Sequence, residues 1–331
     1  MLDEMTGRLA CPRCEQSLRA DRLRHVGDDI VSGRLVCASC NRVYPIIAGI
    51  PSLFLVPHPY PMYFLPPEDL LPEPRVSLSE KRNSTGLALM LKYHGKAAFL
   101  EAIRTRRPSR RFDVGCFTDL RTRQKAYRLS RRPFSVRMVD RVIGKRWWTD
   151  ERCIGMVNVL KKLRPRRLLD IASGGGGFLS KAMPGLRATR AVGLEISLEG
   201  CRCVTGVAQY LGFDGRLQMV HGDARLMPFP AATFDCVSGW TAAYHISQYE
   251  RAMEESARVL RRGGHFVGTF HTKYPSHSGG LLTREEEEEF IRWARLPLDI
   301  RNVCRTLKKA GFAIVSNSVV GDSRLVVARK R

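Results

Sequence analysis

The sequence predicts an α/β chain: a doubly wound sheet over the second half, a small four-cysteine module at the start, and a basic, helical segment joining them. Three observations lead there. From Arg166 onward, short apolar strands that end in acids alternate with helical stretches and glycine turns; Cys11, Cys14, Cys37 and Cys40 make two C-x-x-C pairs; and the positive charge is concentrated between these regions. The 331 residues are ample for a sizeable core, and 44% hydrophobic with 26% charged residues excludes wholesale disorder, a collagen-like fibre or a disulfide-dense miniprotein.

The cysteine pairs are 22 residues apart. Each can form a tight knuckle presenting two thiolates to one metal, and two knuckles complete a tetrahedral sulfur site that suits Zn²⁺. A strand around Ile30 to Val36 would bring the second knuckle back to the first. With four protein ligands the site is closed, hence structural, leaving no position for a substrate. The start of the chain, Met1-Leu2-Asp3-Glu4, lacks the basic and apolar character of a signal peptide. The ten cysteines therefore point to a reducing, cytoplasmic setting in which pairs bind metal. The uncharged stretch from Val43 to Pro67 holds seven prolines, so it reads as an extended connector and excludes membrane insertion. The zinc module is assigned residues 1–57.

Residues 58–148 are assigned to a proline-rich connector followed by a basic segment. Across residues 76 to 167 there are 25 basic and 7 acidic side chains, which is most of the chain's net charge of +23. The density peaks over residues 104–146, where arginines alternate with Phe112, Phe117, Tyr127 and Phe134. Arginine forks grip phosphates and aromatic faces stack on unpaired bases, so the mixture suits RNA. The competing reading is a small helical lid with aromatics in its core and arginines on its wet face.

Residues 149–331 are assigned to the α/β sheet. Arg167 to Ala172 is a short strand carrying Asp170, followed at once by Ser173-Gly174-Gly175-Gly176-Gly177, a turn that lets backbone approach a ligand before the next helix. Arg190 to Glu195 is a second strand, and Glu195 lies 25 residues beyond Asp170, where a carboxylate can accept both hydroxyls of a ribose. Leu217 to Ala224 ends a third strand in Asp223, suited to an adenine amino group. A loop and fourth strand follow at Met227 to Val237, and a glycine turn and fifth strand at Arg258 to Phe266.

The first 55 residues, with the cysteine pairs followed by Val43-Tyr44-Pro45-Ile46-Ile47-Ala48-Gly49-Ile50-Pro51, resemble the small zinc-ribbon family whose free-standing members activate tRNA and translation-factor methyltransferases. The resemblance implies a docking module and a protein partner at the ribbon. Residues 150 to 331 resemble the class I S-adenosylmethionine-dependent methyltransferases, and the resemblance implies a Rossmann-like seven-stranded sheet. It assigns Asp170, Ala172, Gly174 and Gly176 to the first cofactor motif, with Ala172 where glycine is usual. It assigns Glu195 to the ribose, Asp223 and Ala224 to the adenine, and Trp240 to the methionine moiety.

Methyl transfer from a sulfonium needs an oriented acceptor and, for a protonated O or N acceptor, a base. His245, beyond the fourth strand, and His271, after the fifth, are the candidates; each could equally be a packing or hydrogen-bonding residue. The basic segment favours methylation of an RNA base in rRNA or tRNA. The alternative is a small-molecule methyltransferase acting on a quinone or natural product, since the catalytic half looks most like that branch.

Overall fold

The computed structural model describes residues 3–26, 29–47, 49–53, 151–174, 176–196, 215–243, 246, 248–272 and 298–331, with 201, 204, 205, 208, 212 and 213 between. The connector and basic segment at 58–148, its proposed RNA-contacting stretch 104–146, and His245 lie outside the described residues.

A 3₁₀ turn at Asp3–Arg8 leads to four strands, β1 (Leu18–Val26), β2 (Asp29–Cys37), β3 (Val43–Ile47) and β4 (Ile50–Leu53). The second half then runs α1 (Glu151–Leu163), β5 (Arg167–Ile171), α2 (Gly177–Ala182), β6 (Arg190–Glu195), β7 (Leu217–Gly222), β8 (Phe234–Gly239), α3 (Tyr249–Val259), β9 (Leu260–His271), α4 (Ile300–Lys309), β10 (Phe312–Val320) and β11 (Ser323–Lys330). Local sequence accounts for the helices. In α1, Cys153, Met156, Val157 and Leu160 fall on one face at helical spacing, with Glu151 in the first turn and Lys161 and Lys162 in the last, where each charge complements the helix dipole. Asp299 caps α4 by accepting the backbone N–H of Arg301 at 2.9 Å.

Among the described residues eleven strands form one sheet, in the order β1-β2-β3-β4-β7-β6-β5-β8-β9-β11-β10. Strands β7, β6, β5, β8 and β9 are parallel, and β11 and β10 close that end antiparallel. These seven are the sheet that the sequence predicts. The four strands of the ribbon, however, extend it: β4 pairs parallel with β7, Ser52 opposite His221 and Leu53 opposite Gly222. Part of the stretch read as a connector is thus sheet. An uncharged apolar run satisfies either role, and Pro45 and Pro51 both fall inside strands.

Helices on both faces bury the sheet. One apolar cluster joins Leu169, Ile171 and Leu194 to Phe266, Val303 and Leu307; it continues without a break into Leu9, Ile30, Leu35, Tyr44 and Leu53 of the ribbon. The other packs Leu168 and Ala191 against Met156, Leu160, Phe178 and Leu179 of α1 and α2. Alternation along β5 explains the split, since Leu168 and Leu169 point to opposite faces. Among the described residues no helix is long and apolar enough to cross a membrane.

Candidate functional site

The chain runs from β5 outward to β6 and β7, then returns to the other side of β5 for β8 and β9. Such a reversal opens a crevice at the carboxyl ends of the strands, where ligands bind in open α/β sheets. The residues predicted from sequence gather there. Asp170 sits near the end of β5, Glu195 ends β6, Asp223 follows β7, and Trp240 follows β8.

The turn after β5 is built from left-handed backbone: Ala172, Gly174 and Gly176 have φ of 51°, 56° and 83°. A side chain at Gly176 would meet Val204, its Cβ only 2.8 Å from Val204 Cγ2, so this position needs glycine for space as well as conformation. Gly176 precedes α2 as its cap, and the Gly174 N–H donates to Glu195 Oε2 at 2.7 Å. The acid at the end of β6 and the glycine turn are therefore locked together. Glu195 is 3% exposed.

The other two acids are held differently. Asp170 is fully enclosed and accepts from the Ser238 hydroxyl at 2.6 Å. Burial pushes its carboxyl up to about 7, with the hydroxyls of Ser238 and Ser173 opposing the shift. Asp223 is gripped by Arg225, whose Nε lies 3.0 Å from both carboxylate oxygens, whose Nη2 lies 2.6 Å from Oδ2, and whose backbone N–H reaches Oδ1 at 2.8 Å. Beyond Ala224, the loop carbonyls of Met227 and Phe229 accept from Arg258 of α3 at 2.8 and 2.7 Å.

At the other end of the molecule the four cysteine sulfurs lie within 4.8 Å of one another. Cys11 and Cys40 Sγ are 3.6 Å apart, and Cys14 and Cys37 Sγ 3.5 Å. Four thiolates about 2.3 Å from a tetrahedral ion would be separated by about 3.8 Å, so the arrangement fits zinc. The Tyr44 hydroxyl is 3.1 Å from Cys11 Sγ. Burial works against the Cys11 thiolate, but that hydroxyl and the backbone N–H groups of Arg13 and Cys14 outweigh it and bring the thiol down to about 7, toward the form a metal binds.

Family comparison agrees with both halves. The model described as a methyltransferase domain matches residues 169–268, and that described as Trm112p-like protein matches residues 8–49. The chain carries a methyltransferase domain behind a Trm112p-like segment. The methyltransferase domain is 32% identical over 107 residues to a fatty-acid O-methyltransferase of Mycolicibacterium smegmatis, spanning 31% of this chain and 36% of that protein. It is 33% identical to the ubiquinone/menaquinone biosynthesis C-methyltransferase UbiE of Methylobacterium nodulans, over 32% and 42% of the two chains. A demethylmenaquinone methyltransferase of Thermus thermophilus is 29% identical over 39% and 57%. The chain thus spans roughly a third to just over half the length of these relatives.

The N-terminal ribbon meets the methyltransferase domain at more than its paired strand. Ala10 N–H donates to the Pro228 carbonyl at 3.0 Å, Glu15 lies 3.6 Å from Arg258, and Glu4 pairs with Arg190. His221, on β7, is fully buried; its Nδ1 is 2.9 Å from Ser52 Oγ on β4 and its Nε2 is 3.0 Å from the Ile196 carbonyl. His271 ends β9 at 2% exposure, with Ser323 Oγ 3.1 Å from Nδ1, Arg152 Nη1 3.3 Å from each ring nitrogen and Asp322 3.7 Å away.

Sequence reasoning missed Ser52, His221, Ser238 and Arg225. Arg225 was within reach, two positions from the acid it holds. Ser52 and His221 are 169 positions apart and carry no local signal of their meeting. Cys201 is buried near the end of β6, its Sγ 3.7 Å from the Glu195 carbonyl.

Proposed function

We propose that this protein is an S-adenosylmethionine-dependent methyltransferase of a small molecule, with zinc held by Cys11, Cys14, Cys37 and Cys40. The observation that carries the reading is the acid-and-glycine constellation at the carboxyl ends of β5, β6 and β7. There Glu195 stands at the end of its strand, bonded to the Gly174 N–H, where it can accept ribose hydroxyls. Asp223 and Ala224 would border the adenine, Gly174 and Gly176 would let backbone approach the cofactor, and Trp240 would border the methionine moiety, with Asp170 and Ala172 shaping the turn beneath. The cofactor's sulfonium supplies the methyl group. The chain's part is to orient an acceptor in line with it and keep water away.

A small molecule is preferred over RNA because the relatives of the methyltransferase domain carry names of fatty-acid and quinone methylation, and none of those reported above is named for RNA. Against this stands the basic segment at 104–146, the reason for expecting RNA from sequence. We therefore assign that surplus to an anionic or amphipathic acceptor, or to a membrane-associated one. His245 is our proposed proton acceptor, while the enclosed setting of His271 between Arg152, Ser323 and Asp322 supports a hydrogen-bonding role. The protein partner implied at the ribbon is, on this reading, the chain's own methyltransferase domain, since β4 spends its free edge on β7.

The test is incubation of the purified protein with methyl-labelled cofactor and, separately, a lipid-and-quinone extract and total RNA. Label in the organic fraction that disappears in Glu195→Ala is expected. Label confined to RNA would overturn the small-molecule reading. Metal analysis should return about one zinc per chain, lost in Cys40→Ser.

A further inference from the structure

His221 has no part in the chemistry above, yet it occupies an unusual place. It is fully buried on β7, directly across from Glu195 in the β6–β7 register, and directly across from Ser52 in the β7–β4 register. Its two ring nitrogens face two different elements. The Ile196 carbonyl at 3.0 Å from Nε2 can only accept, so Nε2 carries the proton; in the neutral ring Nδ1 is then an acceptor, and the Ser52 hydroxyl at 2.9 Å is the donor. Ile196 is the residue after Glu195, at the point where β6 gives way to the following loop. The ring therefore ties the end of the ribose-acid strand to the ribbon's last strand.

A buried imidazole is a costly tie unless both nitrogens are satisfied, and an apolar residue would fill the same space more cheaply. What the imidazole adds is direction. It holds the Ile196 carbonyl from one side while the Gly174 N–H holds the Glu195 carboxylate from the other, so the acid is fixed at both its backbone and its side chain. We propose that His221 is a positioning residue for ribose recognition, acting through Ile196 on Glu195, with its other ring nitrogen held by Ser52 of β4. The inference rests on the cofactor reading given above.

A ribose-specific role separates from a merely structural one by comparing two ligands, S-adenosylhomocysteine and its 2′-deoxy analogue, in titration calorimetry with the full-length zinc-loaded chain. The wild type should prefer the ribose form. His221→Leu should lose about tenfold in affinity for the ribose form and much less for the deoxy form, flattening the preference. His221→Gln, whose amide can still donate to the Ile196 carbonyl, should recover most of it. In a Glu195→Gln background the His221→Leu change should cost little more, because both act through one contact. If His221→Leu does not fold, Ser52→Ala reads the same pattern at about threefold. Equal losses for both ligands, or affinities within twofold of wild type in both variants, overturn the proposal. Failure of the wild type to bind either ligand instead overturns the cofactor reading, and the proposal with it.

Discussion

The two edges of the seven-strand catalytic sheet are finished in opposite ways. At β7 the edge is closed by β4, a strand from the far end of the sequence; all four of its residues are buried and its contact includes a hydrogen-bonded serine and histidine. At β10, the last strand among the described residues, Val315 and Val319 are 59% and 68% exposed, and pairing with β11 shifts register between Ile314 and Ser316. The covered edge is beside Asp223 and Glu195, the acids proposed for adenine and ribose, and β10 lies at the opposite end of the strand order. A strand edge exposes unpaired backbone groups, which a protein either pairs or protects with irregularity. Here one edge is paired with another strand, and at the other a register irregularity interrupts the last pairing among the described residues.

The sharpest way to break this comparison is to weaken the covered edge. Leu53 is 1% exposed at the end of β4 and belongs to the cluster that runs from the ribbon into the sheet. Leu53→Ala should destabilise the whole chain by about 3 kcal/mol, from lost burial plus the cavity left behind. Urea denaturation should show a single shifted transition if the ribbon and the methyltransferase domain unfold together. Two separated transitions would show that the shared sheet does not make them one cooperative unit.

How much of this was legible in the sequence follows from the range of the forces involved. The order of the catalytic strands, the glycine turn and the acids at strand ends announce themselves within a few residues of one another, because alternation and turn chemistry are local. The cysteine pairs do too: a knuckle is closed by two ligands three positions apart. The join between β4 and β7 left no such mark. Ile50-Pro51-Ser52-Leu53 is as apolar as a linker rich in proline, and its pairing with β7 depends on residues about 170 positions away. Nor could the sequence tell Asp170, sealed under Ser238, from Glu195, held by a backbone N–H of the glycine turn, since both are acids at strand ends.

That second difference lies at the centre of the sheet, between the two edges, and predicts a pH signature. The folded-state carboxyl of Asp170 is raised to about 7 from an ordinary 3.8. Between those values the folded chain keeps a proton that the unfolded chain has released, so this group's contribution is full at pH below 4 and is lost as pH rises toward 7. Asp170→Asn keeps an acceptor for Ser238 and removes the titration. The variant should be more stable than wild type by roughly 4 kcal/mol at pH 8, the gap closing toward pH 4. A difference between the two that is constant from pH 4 to 8 would contradict the buried, proton-retaining state.

Two positions further on, Ala172 holds φ of 51°, a conformation that costs an L-residue with a Cβ about 1–2 kcal/mol. Ala172→Gly removes the strain but loosens the unfolded chain, which costs about 0.4–1 kcal/mol in return. The balance is a stabilisation of about 0.5 kcal/mol, with cofactor affinity little changed. Measured destabilisation would mean that the methyl's contact with the core below outweighs the backbone strain.

The smallest effect belongs to the open edge. Val319 is an apolar side chain mostly in water, so replacing it gives up little buried area, and a lysine on an edge strand opposes unwanted pairing with another chain. Val319→Lys should leave unfolding free energy within about 0.5 kcal/mol of wild type, against the several-fold larger cost of Leu53→Ala at the other edge. It should also lower any concentration-dependent association seen by light scattering. A loss above about 1 kcal/mol would show that β10 is covered in solution, and the contrast between a committed and an open edge would then give way to a sheet closed at both ends.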